Sequence, residues 1–479
     1  MRPRLVFYYI IFFITLWFIL PIFIIPTIPL DSAENIMWGN ALSWGYYKHP
    51  PLVAWILHCF MWLFHNPKLA TYLASAIAVS LCLLYIYRLS CIFLTKNLAS
   101  FAVILTTLIY YYAFPSMQFN QDIIMLPLWT MLCFYTYHAL NDNHLSSWLK
   151  VGILAGLCLL AKYESIVILT VLFCFFIFNR KYHKVYIIKK ALLTILIMLL
   201  IFLPNVLWIF NHDFLPIKYM LDSGNTGGNF FYRRFMNLQT VVITQIAAIL
   251  LPLIITCFAS QGSSLKKVKY LQHFLFWIGF GPFLISILLV LILGIQIKGY
   301  WAIPYFNFTI SEILFFSQRQ LKNNALIKIL IVSVIWNLLL CATVFSYAYF
   351  NKHNLGSNYP AKRIAAYTDK LWHQHSSTPL HYIIADRSNS SNISAYSKFA
   401  PQALIDFDLQ TSPWITLKKL KTKGAIIIVT GCVKTPPQNI VALIGNTQYL
   451  GCKKFTPILK YHITKFYWRT FFVIPPRVS

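Results

Sequence analysis

The sequence predicts a polytopic α-helical membrane protein of about eleven transmembrane helices with a small C-terminal α/β domain. Three observations carry that reading. The chain is 58% hydrophobic and only 11% charged, too apolar for a soluble protein of 479 residues. Apolar runs long enough to cross a hydrocarbon core of about 30 Å recur along it. From residue 348 the character changes, and strand-like runs such as "HYIIA" (381–385) and "AIIIVTG" (425–431) alternate with loops rich in Ser, Asn and Pro.

In chain order the spans are expected at 5–28, 69–94, 98–116, 123–140, 148–161, 164–178, 188–210, 239–259, 273–294, 301–317 and 325–347. The first run is too long for a secretory signal and lacks a small-residue cleavage site, so it reads as a retained span. Residues 51–64 are apolar but short and begin at Pro50-Pro51, which suits an interfacial or re-entrant helix. With Arg2 and Arg4 inside, the inner loops hold Lys96, Lys150, "NRKYHKVYIIKK" (179–190), "SSLKKVKY" (263–270) and "QRQLKNN" (318–324). Positive charge thus collects on one side. That distribution accounts for the net charge of +28, and no basic repeat or finger spacing points to nucleic acid. The odd span count divides the chain into a membrane domain, 1–347, with a first outer loop at 29–68, and an outer α/β domain, 348–479.

The 10 cysteines form no CxxC pair and no metal-ligand spacing. Eight lie in or beside apolar runs. Cys432 and Cys452 fall in the outer region, where a disulfide between them is expected; two unpaired thiols are the alternative.

The acids are few, 12 in all. Asp142 falls on the inner face and Glu312 within the tenth span. The others fall outside, and six of them precede the α/β domain: Asp31, Glu34, Asp122, Glu164, Asp213 and Asp222. Lys48, Lys162, Lys218, Arg233, Arg234 and Lys298 emerge on the same face, against the positive-inside bias. Charges placed against that bias predict a polar site at the outer boundary.

Five stretches could build it. In "LDSAENIMWGNALSWGYYKHPPL" (30–52), Asp31 and Glu34 share a helix face. They read as general base or ligand, or Asp31 simply as a helix cap. The proline pair extends His49 and projects Lys48 and His49 toward Asp31. In "PSMQFNQDIIMLPLW" (115–129), Asp122 opens a span, as a cap or as part of the site. In "GILAGLCLLAKYESIVIL" (152–169), Lys162, Tyr163 and Glu164 interrupt two apolar halves. Ionisable groups at that depth suggest function, against an ordinary ion pair at a turn. "NTGGNFFYRRF" (225–235) offers Arg233 and Arg234 to phosphate, or to lipid headgroups. "LGIQIKGYWAIP" (293–304) brings Lys298 between two spans beside Tyr300 and Trp301. No P-loop, Rossmann glycine set or HExxH occurs, so nucleotide hydrolysis is not indicated.

An acid after the first span followed by "GYYKHPPL" resembles the bacterial branch of the protein O-mannosyltransferase superfamily. These are membrane glycosyltransferases of the GT-C fold, and they include the enzyme that adds aminoarabinose to lipid A. The resemblance continues in order through "FNQDIIMLPLW", "GILAGLCLLAKYESI", "LPNVLWIFNHDFLPIKY", "GFGPFLI", "LGIQIKGYWAIP", "DRSNSSNISAY" and "SPWI". It implies inverting transfer of a sugar from a polyprenyl (undecaprenyl) phosphate donor to an acceptor on the periplasmic face. Lipid A or another part of lipopolysaccharide is the expected acceptor, in a bacterial inner membrane. It also implies that Asp31 is the catalytic acid of the first loop, with Glu34 assisting. Lys48, His49, Asp122, Lys162, Tyr163, Arg233, Arg234 and Lys298 are expected around the donor phosphate. Two departures stand out. Relatives often carry an acid at the position of Lys48, and Pro204-Asn205 replaces a frequent Pro-His. Some family members bind a divalent metal near the donor phosphate; without these two ligands the resemblance leaves a metal possible and not required, with Lys48 as the alternative source of positive charge. The rival readings are a flippase or transporter for a lipid-linked substrate, the same chemistry on a protein or other glycan, and a structural or sensor membrane protein. A transporter predicts repeat symmetry and charges near the midplane, and neither is seen in the sequence.

Overall fold

The computed structural model describes residues 3–224, 230–262, 273–293, 299–350, 356–445, 447–458 and 466–476. Among them, seven helices are long and apolar enough to cross a membrane. These are α1 (Leu5–Ile24), α4 (Pro67–Phe93), α6 (Gln121–Asn141), α9 (Val185–Asn211), α11 (Phe230–Ala259), α12 (Phe274–Leu293) and α14 (Ala325–Phe350). Shorter helices stand between them: α2 (Leu30–Gly39), α3 (Leu52–Phe64), α5 (Lys96–Thr106), α7 (Leu145–Ala161), α8 (Ile166–Phe178), α10 (Leu215–Gly224) and α13 (Thr309–Phe316). The starts obey local rules. Asn66 caps α4 by accepting from the backbone of Lys68 and Leu69, with Pro67 at the first helical position. Asn120 caps α6 in the same way.

Two expected spans are broken. The run 98–116 divides into α5 and a second piece, Tyr110–Met117, bent by 79°. The Thr106 and Thr107 hydroxyls bond back to the Ala102 and Ile104 carbonyls, and Pro115 follows. Threonine back-bonding bends a helix, and proline removes a donor. The run 301–317 is a 3-10 helix, Gly299–Phe306, followed by α13. Pro304 lies inside the first piece, and neither piece alone spans a bilayer. The neighbouring pair α7 and α8 is short as expected. It is joined through an extended Lys162 and a 3-10 turn, Tyr163–Ser165.

The C-terminal region holds α15 (Ala361–His375), α16 (Arg387–Tyr396), α17 (Leu417–Lys423) and α18 (Gln438–Ile444). Its strands are β1 (Tyr382–Ala385), β2 (Gln402–Ile405), β3 (Ala425–Thr430), β4 (Gln448–Phe455) and β5 (Tyr467–Ile474). They form one five-stranded sheet in the order β2-β1-β3-β5-β4. The first three strands are parallel, and β5 is antiparallel to both β3 and β4. Every side chain of β1 is buried, as expected of a strand covered on both faces. Cys432 and Cys452 form a disulfide with a Cα–Cα distance of 5.5 Å.

This region does not stand apart from the rest. A single buried cluster joins Met37, Trp38, Tyr46 and Ala54 of the first loop to Ile383, Ile393, Ile405 and Phe471 of the sheet layer. The polar contacts follow. Asn40 Nδ2 donates to Ser394 Oγ at 3.0 Å, Gln402 Nε2 to the Asn40 carbonyl at 3.1 Å, and the Ile28 N–H to the Tyr396 hydroxyl at 2.9 Å. The hydrophobic core thus crosses the boundary expected at 347–348. In consequence α16 lies directly against α2.

Candidate active site

The site begins with α2. Its N-cap position is Pro29, and no side chain caps it, so Asp31 is not consumed in capping. The three-residue spacing puts Asp31 and Glu34 on one face. Their surroundings differ sharply: the Glu34 side chain is 3% exposed and that of Asp31 45%.

The "YYKHPP" turn closes over α2. Tyr46 N–H bonds the His49 carbonyl at 3.0 Å, and the Tyr46 ring stacks on Trp38 at 4.9 Å. This geometry drives Lys48 inward, where Nζ donates to Glu34 Oε1 at 2.7 Å. The Tyr47 hydroxyl donates to the same oxygen at 3.2 Å. Burial pulls the Lys48 ammonium below its usual pKa, and Glu34 opposes that pull. His49 packs edge-on against Trp38. Burial holds its pKa well below the usual value, and Lys162, Lys48 and Arg387 add to the effect, so its imidazole is neutral near pH 7.

The third cation comes from the far end of the chain. Arg387 opens α16 just beyond β1, and its backbone N–H donates to Asp406 Oδ1 at 2.8 Å. Its guanidinium Nε meets Glu34 Oε1 at 2.8 Å, while Nη2 meets Glu34 Oε2 at 2.6 Å and Asp31 Oδ1 at 2.8 Å. Such a fork is the strong geometry for arginine and carboxylate. Burial lowers the Arg387 pKa, but the bonds and charges of Glu34 and Asp31 outweigh it and raise it. Asp31 Oδ2 accepts no hydrogen bond from a described residue. Sequence reasoning missed Arg387. The motif "DRSNSSNISAY" contained it, but only the fold supplies its partners.

A second charged cluster sits at the head of α6. Lys162 Nζ donates to Asp122 Oδ1 and Glu164 Oε2, both at 2.6 Å, and lies 4.9 Å from the Trp301 ring centroid. Asp122 is brought to the site, while Asn120 does the capping. The Tyr305 hydroxyl donates to Glu164 Oε1 at 2.7 Å and accepts from Ser286 at 2.8 Å. The clusters are tied together. Gln121 Nε2 donates to Asn35 Oδ1 at 2.8 Å, and Asn35 Nδ2 to the Asp31 carbonyl at 2.8 Å.

Two other expected residues make different contacts. The Tyr163 ring packs edge-on against Phe202 of α9. Arg234 Nη2 donates to the Ile292 carbonyl at 2.6 Å, near the end of α12. Lys298 and the Arg233 side chain lie outside the described residues.

Apolar clefts flank α12 on both sides. One, of about 150 Å³, is lined by Val241, Gln245, Phe283, Ser286 and Tyr305. It touches the hydroxyl pair that leads to Glu164. The other, of about 280 Å³, is lined by Ile166, Val167, Leu288 and Leu289. Among the described residues no group of three His, Cys, Asp or Glu converges as a metal site. Glu34, Asp122 and Glu164 each bind a protein cation instead, so the donor set does not fit a metal cage.

Residues 48–208 match the family model described as dolichyl-phosphate-mannose-protein mannosyltransferase. Structural likeness shows the GT-C membrane glycosyltransferase fold, and the family match over residues 48–208 agrees with the resemblance read from the sequence. Within this fold, the chain is similar to the crystal structure of ArnT from Cupriavidus metallidurans in the apo state. The TM-score is 0.58 at 12% identity, and the match covers 99% of each chain. The same protein bound to undecaprenyl phosphate gives a TM-score of 0.56, again at 12% identity and 99% coverage of each chain. No curated protein sequence matches the chain significantly.

Proposed function

We propose that this protein transfers a sugar from a polyprenyl phosphate, taken as undecaprenyl phosphate, to an acceptor on the outer face of the bacterial inner membrane. The observation that carries the reading is Asp31. It is half-exposed, with one oxygen tied to Arg387 and the other open, while Glu34, Asp122 and Glu164 beside it are closed into ion pairs. The undecaprenyl phosphate bound by ArnT supports the donor class. The apolar cleft lined in part by Tyr305 offers an apolar surface to a short stretch of a prenyl chain. The Cys432–Cys452 disulfide supports an oxidising compartment for the C-terminal region, hence the periplasm.

In this reading Asp31 Oδ2 takes the proton of the acceptor hydroxyl. The acceptor oxygen bonds to the anomeric carbon as that carbon's bond to the phosphate oxygen breaks, with inversion. Polyprenyl phosphate leaves with added negative charge, which nearby cations stabilise. Lys162, 4.9 Å from the Trp301 ring centroid, is assigned to that task, with Lys48, Arg233, Arg234 and Lys298 in the same role. Glu34 is a positioning residue, since both of its oxygens already hold protein donors. Lipid A is the acceptor that the family resemblance favours. An acceptor phosphate would arrive already anionic, and Asp31 would then orient it.

Mass spectrometry of lipid A tests this in cells with wild-type protein, with Asp31→Asn and with the gene deleted. The expected outcome is a sugar-sized mass with wild type, lowered about 100-fold or more by Asp31→Asn. Equal modification in wild type and Asp31→Asn would remove Asp31 from the chemistry. Identical spectra from all three would remove lipid A as the acceptor.

A further inference from the structure

The C-terminal region contributes a working residue to the acid site. We propose that Arg387 is a positioning residue that aims Asp31, and that the α/β layer exists in part to hold it there. The inference rests on the glycosyltransferase reading above and adds a residue to it.

Three features carry it. Arg387 binds two acids of α2 at once, in bonds of 2.6–2.8 Å. By holding Asp31 Oδ1, it leaves Oδ2 of a half-exposed side chain without a described hydrogen-bond partner. A carboxylate free at both oxygens would rotate about its side-chain bonds, and small errors of aim at a reacting atom are costly.

Arg387 is itself firmly placed. It follows β1, at the carboxyl end of three parallel strands, where α/β sheets present functional groups. Its backbone N–H is held by Asp406. Asp406 and Phe407 just past β2 have φ of 53° and 60°, a left-handed pair without glycine. Strain of this kind is kept where the surrounding structure requires it. On the other side of Arg387, Asp386 caps α16 through the Asn389 N–H at 3.0 Å and accepts from Thr430 Oγ1 at 3.1 Å. The ends of β1, β2 and β3 thus converge on one arginine, and that arginine points at Asp31.

The test uses the full chain purified in detergent, with tritiated undecaprenyl phosphate as the binding probe and lipid A spectra as the turnover readout. Arg387→Lys keeps the charge and loses the fork. It should bind undecaprenyl phosphate within about 2-fold of wild type while modified lipid A falls about 10-fold. Arg387→Gln should lower it about 100-fold. Guanidinium chloride should restore part of the activity of Arg387→Ala in membrane vesicles. Arg387→Lys with wild-type turnover, or a loss matched by equal loss of binding, would overturn the role. A wild-type chain that leaves lipid A unchanged would instead remove lipid A as the acceptor, and the thermal-unfolding test would then decide the contact. Thermal unfolding needs no turnover. Arg387→Gln and Glu34→Gln should lower Tm together by less than the sum of their separate shifts, because each removes the other's partner. Additive shifts would reject the contact itself.

Discussion

At the residue scale, Glu34 sits between Lys48 and Arg387 with 3% of its side chain exposed. Glu34→Gln leaves the buried Lys48 ammonium facing a neutral group, while Arg387, a third exposed, keeps only Asp31. Removing one partner of a buried ion pair costs about 3 kcal/mol, and the expected loss is of that size, measured by thermal unfolding in detergent. A variant as stable as wild type would mean that water reaches Lys48. Asp31 and Glu34 were legible in the sequence because acids are scarce here and these two leave a membrane run. Lys162 was legible for a related reason, a cation between two apolar halves. Arg387 was not. An arginine among serines and asparagines looks like any solvated helix start, and its partner Asp31 is 356 residues away. Local chemistry carries no trace of such a distance. Tyr163 is expected near the donor phosphate because Lys162 and Tyr163 together resemble the Lys-Tyr turn of the family. Tyr163 opens a 3-10 turn and its ring packs against Phe202 of α9, a contact that local sequence does not reveal.

At the element scale, apolar periodicity identifies the long helices well, since a bilayer demands about 20 apolar residues in each. It fails at 98–116 and 301–317, where threonine back-bonding and proline break runs that remain apolar throughout. The breaks bring Tyr305 to the hydroxyl relay beside Glu164. Helix contacts are more local and better encoded. In "GILAG", Gly152 and Gly156 face α9, and a Cβ on Gly156 would lie 2.7 Å from Ile201 Cβ. Small residues four apart let membrane helices approach closely. Gly156→Val should separate α7 from α9 and cost about 2 kcal/mol, read as a lower Tm in detergent. On the proposed reading, the same variant should also reduce sugar transfer, because α7 ends at Lys162. Unchanged stability would show that α9 yields to the added methyl groups.

At the scale of the whole molecule, the membrane part and the α/β layer share a core, and Trp38 is fully buried in it. A chain ending at residue 347 would expose Trp38, Met37 and Tyr46 and would leave Asp31 and Glu34 without Arg387. It should be recovered from membranes largely as aggregate, and inactive, as size-exclusion chromatography and lipid A spectra would show. A monodisperse, active fragment would contradict the shared core. The change of composition near residue 348 makes two regions legible. Their fusion was not, because burial between distant segments leaves no periodic pattern in either. The long reach from Asp31 to Arg387 also has a meaning during synthesis. Asp31 enters the membrane among the first residues made, while its partner leaves the ribosome only after every span has been inserted. On the proposed reading, a nascent or truncated chain would carry an unaimed acid until residue 387 has been made and folded against α2.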